Sequence, residues 1–273
     1  MHAAGPYGPA HVSVLKACLA ARCHYVDLAE ERVFNALVRQ LSPHFEAQAL
    51  TAVHGASSLP GISGALVQVL RDGPVSSARV TLWIGNRNVK GAGAIAAALA
   101  VAGRDVPAPQ GMLHGFGEPE TVDLPGGIGR VTARTYDAPE YDLFPDLLGC
   151  SDVRVKVAFE LGLAATLVSW VARLPGGTSP RMARFLSWAG GLTAFVGTSG
   201  GAIAVELTGP AGVRRAALVA DARGQEMAAL PAVLAVERLC ADDARRGACT
   251  AYELLGPQGL LDGLGAAGFR VLR

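Results

Sequence analysis

Apolar positions in the first part of the chain recur with two alternating periods. Short β-forming runs at residues 24–28 and 49–54 alternate with longer stretches in which apolar side chains recur every three to four residues. This order is typical of parallel strands covered by helices. We therefore expect three neighbouring parallel strands, the first beginning at His2. The predicted helices cover residues 9–21, 30 to about 49 (divisible at Ser42-Pro43) and 60 to about 70.

The pattern changes after Asp72-Gly73-Pro74, where a turn signal marks a boundary. Residues 79–84 alternate as in an antiparallel strand, and residues 202–208 and 213–220 predict a hairpin across a Gly-Pro-Ala-Gly turn. The fold class expected is α/β plus α+β: a partial parallel sheet in residues 1–70, a mixed or antiparallel sheet in 71–225 and further elements in 226–273. Other predicted strands are 111–116, 120–124, 130–136, 152–160 and 250–255, and other predicted helices are 90–103, 227–240 and 259–268.

Composition narrows the possible functions. Hydrophobic residues make up 51% of the chain and charged residues 17%, which allows a large core. A net charge of +1 provides no basic surface for nucleic acid. The five cysteines lack CxxC spacing and the six histidines lack metal-ligand spacing, so we expect reduced thiols and no metal site. With no signal-peptide pattern after Met1, these features favour a cytoplasmic protein.

Two apolar stretches raise the question of membrane insertion. Residues 161–172 are too few to cross a bilayer. Residues 185–205 are long enough and uncharged, but glycines at 190–191 and 197–201 interrupt them. We interpret this stretch as a helix, a glycine turn and a strand. Peripheral contact with a membrane stays open.

Candidate ligand-binding residues lie at the predicted strand ends. Parallel sheets bind ligands outside the carboxyl ends of their strands. The first end carries Ala4, Gly5, Pro6 and Tyr7, where the glycine allows close approach of a ligand to the backbone and the proline fixes the turn.

The second and third strand ends carry polar groups. Asp27, close to Ala29, has two interpretations: a contact to a ligand, or a cap for the helix expected near Glu30. The third end offers hydroxyls and free helix N–H groups to an amide or anion. The residues of that third end are Ser57, Ser58, Pro60 and Gly61. His54, on the third strand, is interpreted as a structural histidine.

Other polar and glycine-rich segments have structural interpretations beside functional ones. Residues 91–96 match GxGxxA, but no strand precedes them directly and no acid follows at the required distance, so we expect a helix-packing stripe. Glycines at 126–129 and 197–201 predict turns. Near Arg134, an acidic run could line a substrate cleft or form a solvated loop. That run contains Asp137, Glu140, Tyr141 and Asp142.

Several of these segments together resemble the saccharopine dehydrogenase-like family, specifically its short bacterial NAD(P)-binding members. The segments AAGPYG, ACLAARCHYVDLAEE and GASSLPGISGALV carry the resemblance, and WIGNRNVKGAG and GTSGGAIAVELTG extend it more weakly. Members of that family have a strand with GxGxxG and two more strands before the equivalent of His2. Those are absent here, so the resemblance implies the last three strands of a Rossmann-like sheet.

The resemblance implies an oxidoreductase that transfers hydride between NAD or NADP and a small-molecule imine, amine, unsaturated or carbonyl substrate. Residues 71–225 would form a substrate and homodimerisation domain, and residues 226–273 would pack back on the first. Without GxGxxG, we expect NAD(P) binding to be weak or absent. The alternative is a non-catalytic scaffold that dimerises or contacts a membrane through residues 157–205. The cofactor-binding residues implied are Ala4, Gly5, Pro6, Tyr7, Asp27, Ala29, Ser57, Ser58, Pro60 and Gly61.

Overall fold

A computed structural model describes residues 1–5, 7–89, 91–241 and 245–273 of the chain. The architecture is mixed α/β, with a small parallel sheet and a larger, curled mixed sheet. The strands are β1 (Tyr25–Val26), β2 (Thr51–His54), β3 (Ser77–Ile84), β4 (Asp105–Ala108), β5 (Gly111–His114), β6 (Glu120–Leu124), β7 (Gly129–Thr135), β8 (Asp152–Phe159), β9 (Gly201–Gly209), β10 (Gly212–Ala220), β11 (Gly247–Thr250) and β12 (Arg270–Leu272).

The helices lie between these strands and cover both sheets. They are α1 (Val12–Ala20), α2 (Arg32–Gln40), α3 (Ser42–Ala47), α4 (Ser63–Leu70), α5 (Ala92–Val101), α6 (Glu140–Leu148), α7 (Leu163–Ala172), α8 (Pro180–Gly191), α9 (Gly224–Cys240), α10 (Ala251–Leu255) and α11 (Pro257–Ala266). The predicted division of residues 30–49 at Ser42-Pro43 is confirmed, because α2 ends at Gln40 and α3 begins at Ser42.

The small sheet contains parallel strands in the order β1-β2-β11. Tyr25 pairs with Ala52, and His2 adds an isolated parallel bridge to Asp27 on the other side of β1. The expected parallel pairing is confirmed for β1 and β2, whereas the strand expected from His2 is reduced to this single parallel bridge. β11, from near the end of the chain, extends the same sheet beyond β2.

The prediction of a strand over residues 250–255 is wrong. Those residues form α10, and the strand precedes them as β11. The cause is a capping box: the Thr250 hydroxyl accepts from the Glu253 N–H, and the Glu253 carboxylate accepts from the Thr250 N–H at 2.8 Å. This reciprocal pair satisfies the first donors of a helix and stops the strand at Thr250.

The larger sheet has seven strands in the order β12-β10-β9-β3-β8-β7-β6. The predicted hairpin of β9 and β10 is confirmed, with Gly209 opposite Gly212. The antiparallel prediction for residues 79–84 is only half right, because β3 pairs antiparallel with β9 but parallel with β8. β3 is a central strand with partners on both sides, so its alternation could not reveal the direction of either partner.

Alternate residues of this sheet face different cores. On one face, side chains such as Val80, Val155 and Leu218 join the main core with α4, α9 and α11. On the other face, Trp83, Leu124 and Val219 belong to a separate apolar cluster. Leu124 of β6 and Val219 of β10 belong to this one cluster although four strands lie between them in the sheet, as expected of a curled sheet.

A third packing unit joins α5, α7 and α8 through Leu99, Val171 and Ala183. The GxGxxA motif lies at the start of α5, so its interpretation as part of a packing helix is confirmed. The outer surfaces of α7 and α8 expose many apolar side chains. Among the described residues, none of the helices has the length and apolar character needed to cross a bilayer.

Candidate functional site

Asp27 connects the ends of two neighbouring strands. It follows β1 directly, and its Oδ1 accepts hydrogen bonds from the backbone N–H groups of Ala29 at 2.9 Å and Gly55 at 2.8 Å. Its own carbonyl accepts from Ala56 N–H at 2.9 Å. We call this region, formed by Asp27, Ala29, Gly55 and the Ser57–Gly61 loop, the carboxyl edge.

The interpretation of Asp27 as a cap for the next helix is wrong. That helix begins at Arg32, with Glu31 at its N-cap position. Asp27 instead caps N–H groups in two loops, and it is 0% exposed. Burial raises the pKa of Asp27 to about 7, while hydrogen bonds from Ala29 and Gly55 act in the opposite direction. The aspartate therefore positions the backbone of the edge rather than presenting its carboxyl group to solvent.

The loop after β2 begins with a position that requires glycine. Gly55 has a φ of +58°, and a Cβ there would clash with the Pro60 ring and lie 2.8 Å from Asn35 Oδ1. The predicted helix start at Pro60 is displaced to Ser63, because Ser58–Ile62 form a wide turn first. Ser58, Pro60 and Gly61 are buried in this turn. These buried residues therefore form the backbone of the edge and are not exposed to solvent.

Two glutamates with hydroxyl partners border this loop. The Ser57 hydroxyl donates to Glu30 Oε1 at 3.1 Å, and the Ser63 hydroxyl donates to Glu140 Oε1 at 2.5 Å. Burial raises the pKa of Glu30 to about 7 and that of Glu140 to about 8. The charge of Glu30 adds to the shift of Glu140, so the two groups are electrostatically linked.

His54 has the structural role expected from the sequence. Its Nδ1 lies 2.7 Å from Asn35 Oδ1, and Asn35 Nδ2 donates to the carbonyl oxygen of Ala29 at 2.8 Å. Burial lowers the pKa of His54 to about 3, so the ring is neutral at physiological pH. Through these contacts, His54 of β2 and Asn35 of α2 are connected to Ala29 in the carboxyl edge.

The first segment brings Tyr7 to the edge. Its hydroxyl donates to the His2 carbonyl at 2.8 Å, and its ring packs on Phe34 with centroids 5.4 Å apart. Burial, together with the charge of Asp27, raises the pKa of Tyr7 to about 12. Ala4 and Gly5 lie exposed before it. The predicted contribution of Pro6 lies outside the described residues.

Several carboxyl oxygens at the edge lack hydrogen-bond donors. Within the described residues, Asp27 Oδ2, Glu31 Oε2 and Glu140 Oε2 are buried and have no hydrogen-bond partner. Burying a polar atom without a partner is unfavourable. The edge is therefore acidic, and Glu30 and Glu31 are its partly exposed carboxyl residues.

The acidic run of residues 137–142 does not lie beside Arg134 as an open cleft or a solvated loop. Arg134 donates to Phe116 O and the Thr166 hydroxyl instead. Arg32 forms a bidentate pair with Asp142, with both N···O distances 2.5 Å, and this pair joins α2 to α6. Glu140 is buried at the carboxyl edge.

Sequence reasoning assigned Glu30 only to the helix dipole and placed Glu140 in a different candidate cleft, beside Arg134. The position of Glu140 depends on α6 packing against the start of α4, 77 residues away. Gly55 carried a usable signal, because a glycine directly after a buried strand indicates a special backbone conformation.

Comparisons with known proteins provide no family assignment. No protein-family model matches the chain, and no curated protein matches it. Over the residues described, no group of three or more His, Cys, Asp or Glu is arranged to hold a metal ion.

The raised pKa of Glu140 predicts a specific dependence of stability on pH. The folded state binds a proton more tightly than the unfolded chain, so stability should fall as pH rises from about 5 to about 8. We expect Glu140→Gln, which cannot ionise, to reduce this slope by up to about 1 kcal/mol per pH unit. Urea unfolding of the wild type and Glu140→Gln at several pH values measures the slope of stability against pH.

Glu237→Gln is the matched control for this measurement. Glu237 is exposed on α9. The control should retain the wild-type slope. A Glu140→Gln protein with the wild-type slope would show that Glu140 is ionised with an ordinary pKa.

Proposed function

We propose that the protein is a saccharopine dehydrogenase-like, NAD(P)-dependent oxidoreductase that acts on a small amine or imine at the carboxyl edge. One observation carries this proposal: the partly exposed carboxyl residues Glu30 and Glu31 lie beside the ends of adjacent parallel strands. Strand ends of parallel sheets are the usual ligand sites of such folds. Carboxyl groups accept hydrogen bonds, so they favour a ligand with N–H donors over a carbonyl or alkene substrate.

The accessible residues suggest separate roles. Tyr7, Leu28 and Glu30 are partly exposed at the edge, whereas Asp27 and the Ser57–Gly61 loop are buried and fix its shape. Glu30, with a pKa raised to about 7, is able to exchange a proton with a substrate nitrogen near neutral pH. Tyr7 and Glu31 would orient the substrate through their polar atoms.

The edge suits the nicotinamide end of the cofactor better than the pyrophosphate. A nicotinamide carboxamide offers N–H donors to the partly exposed carboxyl groups of the edge, and the bound cofactor would supply or accept the hydride. The acidic character disfavours a pyrophosphate. Within the described residues, no glycine-rich turn follows β1 or β2, and the glycine clusters near residues 91, 127 and 199 lie in a helix start and two turns.

Because only the nicotinamide half of the cofactor would contact the edge, the adenylate half should add little affinity. We expect the protein to bind reduced nicotinamide mononucleotide and NADPH with affinities that differ by less than about tenfold, because the adenylate half gains few contacts. Isothermal titration calorimetry with both nucleotides measures this. If neither nucleotide binds, the oxidoreductase proposal is wrong.

The role of Glu30 has a separate kinetic test. With 4-deuterated NADPH and 1-pyrroline as a simple cyclic imine, mass spectrometry should detect pyrrolidine with one added deuterium. Because the acid must be protonated, the rate should fall as pH rises through about 7. Glu30→Gln should be slower and lack this fall, whereas Glu237→Gln should match the wild type. An identical pH profile in Glu30→Gln would contradict the role.

A second candidate function, attachment to a membrane surface, is favoured by the exposed apolar side chains of α7, α8 and the turn that follows. Large apolar patches mark interaction surfaces. Residues 161–205 contain three arginines and no acidic residue, which suits anionic lipid headgroups. The exposed apolar residues are Leu163, Leu167, Trp170, Leu174, Phe185, Trp188, Leu192, Phe195 and Val196.

The attachment proposal predicts sedimentation with vesicles. The protein should co-sediment with phosphatidylcholine vesicles that contain phosphatidylserine, and less with phosphatidylcholine alone. Trp170→Ser with Trp188→Ser should weaken this, since both rings are more than half exposed. Val213→Ser, at an exposed apolar position on β10, is the control. A protein that does not sediment with vesicles but is a dimer by light scattering would support the dimerising scaffold instead.

A further inference from the structure

Strand register in the curled sheet places four charged residues in one row. Arg154 on β8 is the partner of Arg79 on β3. Arg79 is also the partner of Glu206 on β9, which in turn faces Arg215 on β10. Three arginines and one glutamate therefore cross the sheet side by side on the face opposite α4, α9 and α11. Adjacent like charges such as Arg154 and Arg79 repel each other, and each guanidinium has a carboxylate partner, Asp152 for Arg154 and Glu120 for Arg79.

The next two rows become progressively less polar. Two residues along each strand, the register aligns Lys156, Thr81, Ala204 and Ala217. Beyond these lie Ala158, Trp83, Ala202 and Val219, which belong to the apolar cluster of this face. The two alanines of the middle row leave space above the sheet. The face thus grades from a charged row to an apolar row.

Because the sheet curls, its outer strands form walls on either side of this face. β6 forms one wall through Val122 and Leu124, and the opposite wall includes Ala217 and Leu272. The cavity between them measures about 750 Å³, within the range of about 300–1,000 Å³ typical of small-molecule sites. Its lining includes both the arginine row and the middle row, so a ligand in the cavity can contact both rows.

Positive charge exceeds negative charge around this cavity. Five basic and three acidic residues line it. Lys156, whose side chain is 7% exposed, lies 2.8 Å from Glu120 Oε2 and donates to the Glu118 carbonyl at 3.0 Å. Since an ammonium group has three donors, one remains for a ligand.

The arginines also retain donors. Glu120 accepts from one Nη of Arg79 at 3.1 Å. Arg215 and Arg154 use their Nε atoms for Glu206 and Asp152. In the part of the chain that the structure describes, no hydrogen bonds are seen for the Nη groups of Arg154 and Arg215. Planar guanidinium groups with free Nη donors suit a carboxylate.

We propose that this cavity is a binding site for an organic carboxylate with an apolar body. The carboxylate would lie over the Arg79–Arg154 row, and the body would extend over Ala204 and Ala217 towards Trp83. This site is separate from the carboxyl edge, because it lies on the other face of the larger sheet from α4. It does not depend on the oxidoreductase proposal.

Titration of the whole protein with sodium octanoate, below its micellar concentration, tests the site by calorimetry. We expect saturable binding that 1-octanol and inorganic phosphate do not reproduce. Arg79→Gln should weaken octanoate binding about tenfold through loss of charge-assisted hydrogen bonds. Ala204→Leu should abolish it by filling the middle row while keeping every charge.

Arg214→Gln provides the matched control. Arg214 neighbours Arg215 on β10, but its side chain points to the opposite face and pairs with Asp72 at 2.8 Å. This variant should bind octanoate like the wild type. The proposal is overturned if octanoate does not bind, or if Arg79→Gln and Ala204→Leu bind it unchanged. Equal binding of 1-octanol or phosphate alone would overturn the assigned ligand class. Thermal unfolding checks that each variant is folded.

Discussion

The Asp27 carboxyl group accepts backbone hydrogen bonds from two loops at once, and the geometry of the carboxyl edge depends on this contact. Ala29 and Gly55 lie after different strands, so one oxygen atom bridges the two strand ends, together with the backbone hydrogen bond from Ala56 N–H to the Asp27 carbonyl. Burying a carboxyl group is unfavourable unless it is neutralised or hydrogen-bonded. The raised pKa of Asp27 reflects that cost. The remaining site residues are positioned by the loops that Asp27 holds.

Packing between the two sheets turns this edge into an acidic site. α6 brings Glu140 against Ser63 at the start of α4, and the Arg32–Asp142 pair fixes α6 to α2. Glu30, which precedes α2, accepts a hydrogen bond from the Ser57 hydroxyl and so faces the same loop. The two candidate ligand sites therefore have opposite character: the carboxyl edge is acidic and favours N–H donors, whereas the curled sheet collects arginines and favours carboxylates.

Local patterns were sufficient to predict most helices, the parallel direction of the first strands and the hairpin of β9 and β10, because these features depend on neighbouring residues. They failed at Thr250, where a capping box in a β-forming sequence starts a helix. They also did not place Glu140 at the carboxyl edge, and they did not find the arginine row. The first depends on packing between distant segments, and the second depends on the register of four strands, which alternation within one strand does not define.

Amide hydrogen exchange in Asp27→Asn and Asp27→Leu tests the central claim most directly. Asparagine keeps an acceptor oxygen for the Ala29 and Gly55 N–H groups, whereas leucine removes it and leaves both donors buried and unpaired. The account predicts slow exchange at both amides in the wild type and in Asp27→Asn, and fast exchange at both in Asp27→Leu. A folded Asp27→Leu protein in which both amides still exchange slowly would contradict it.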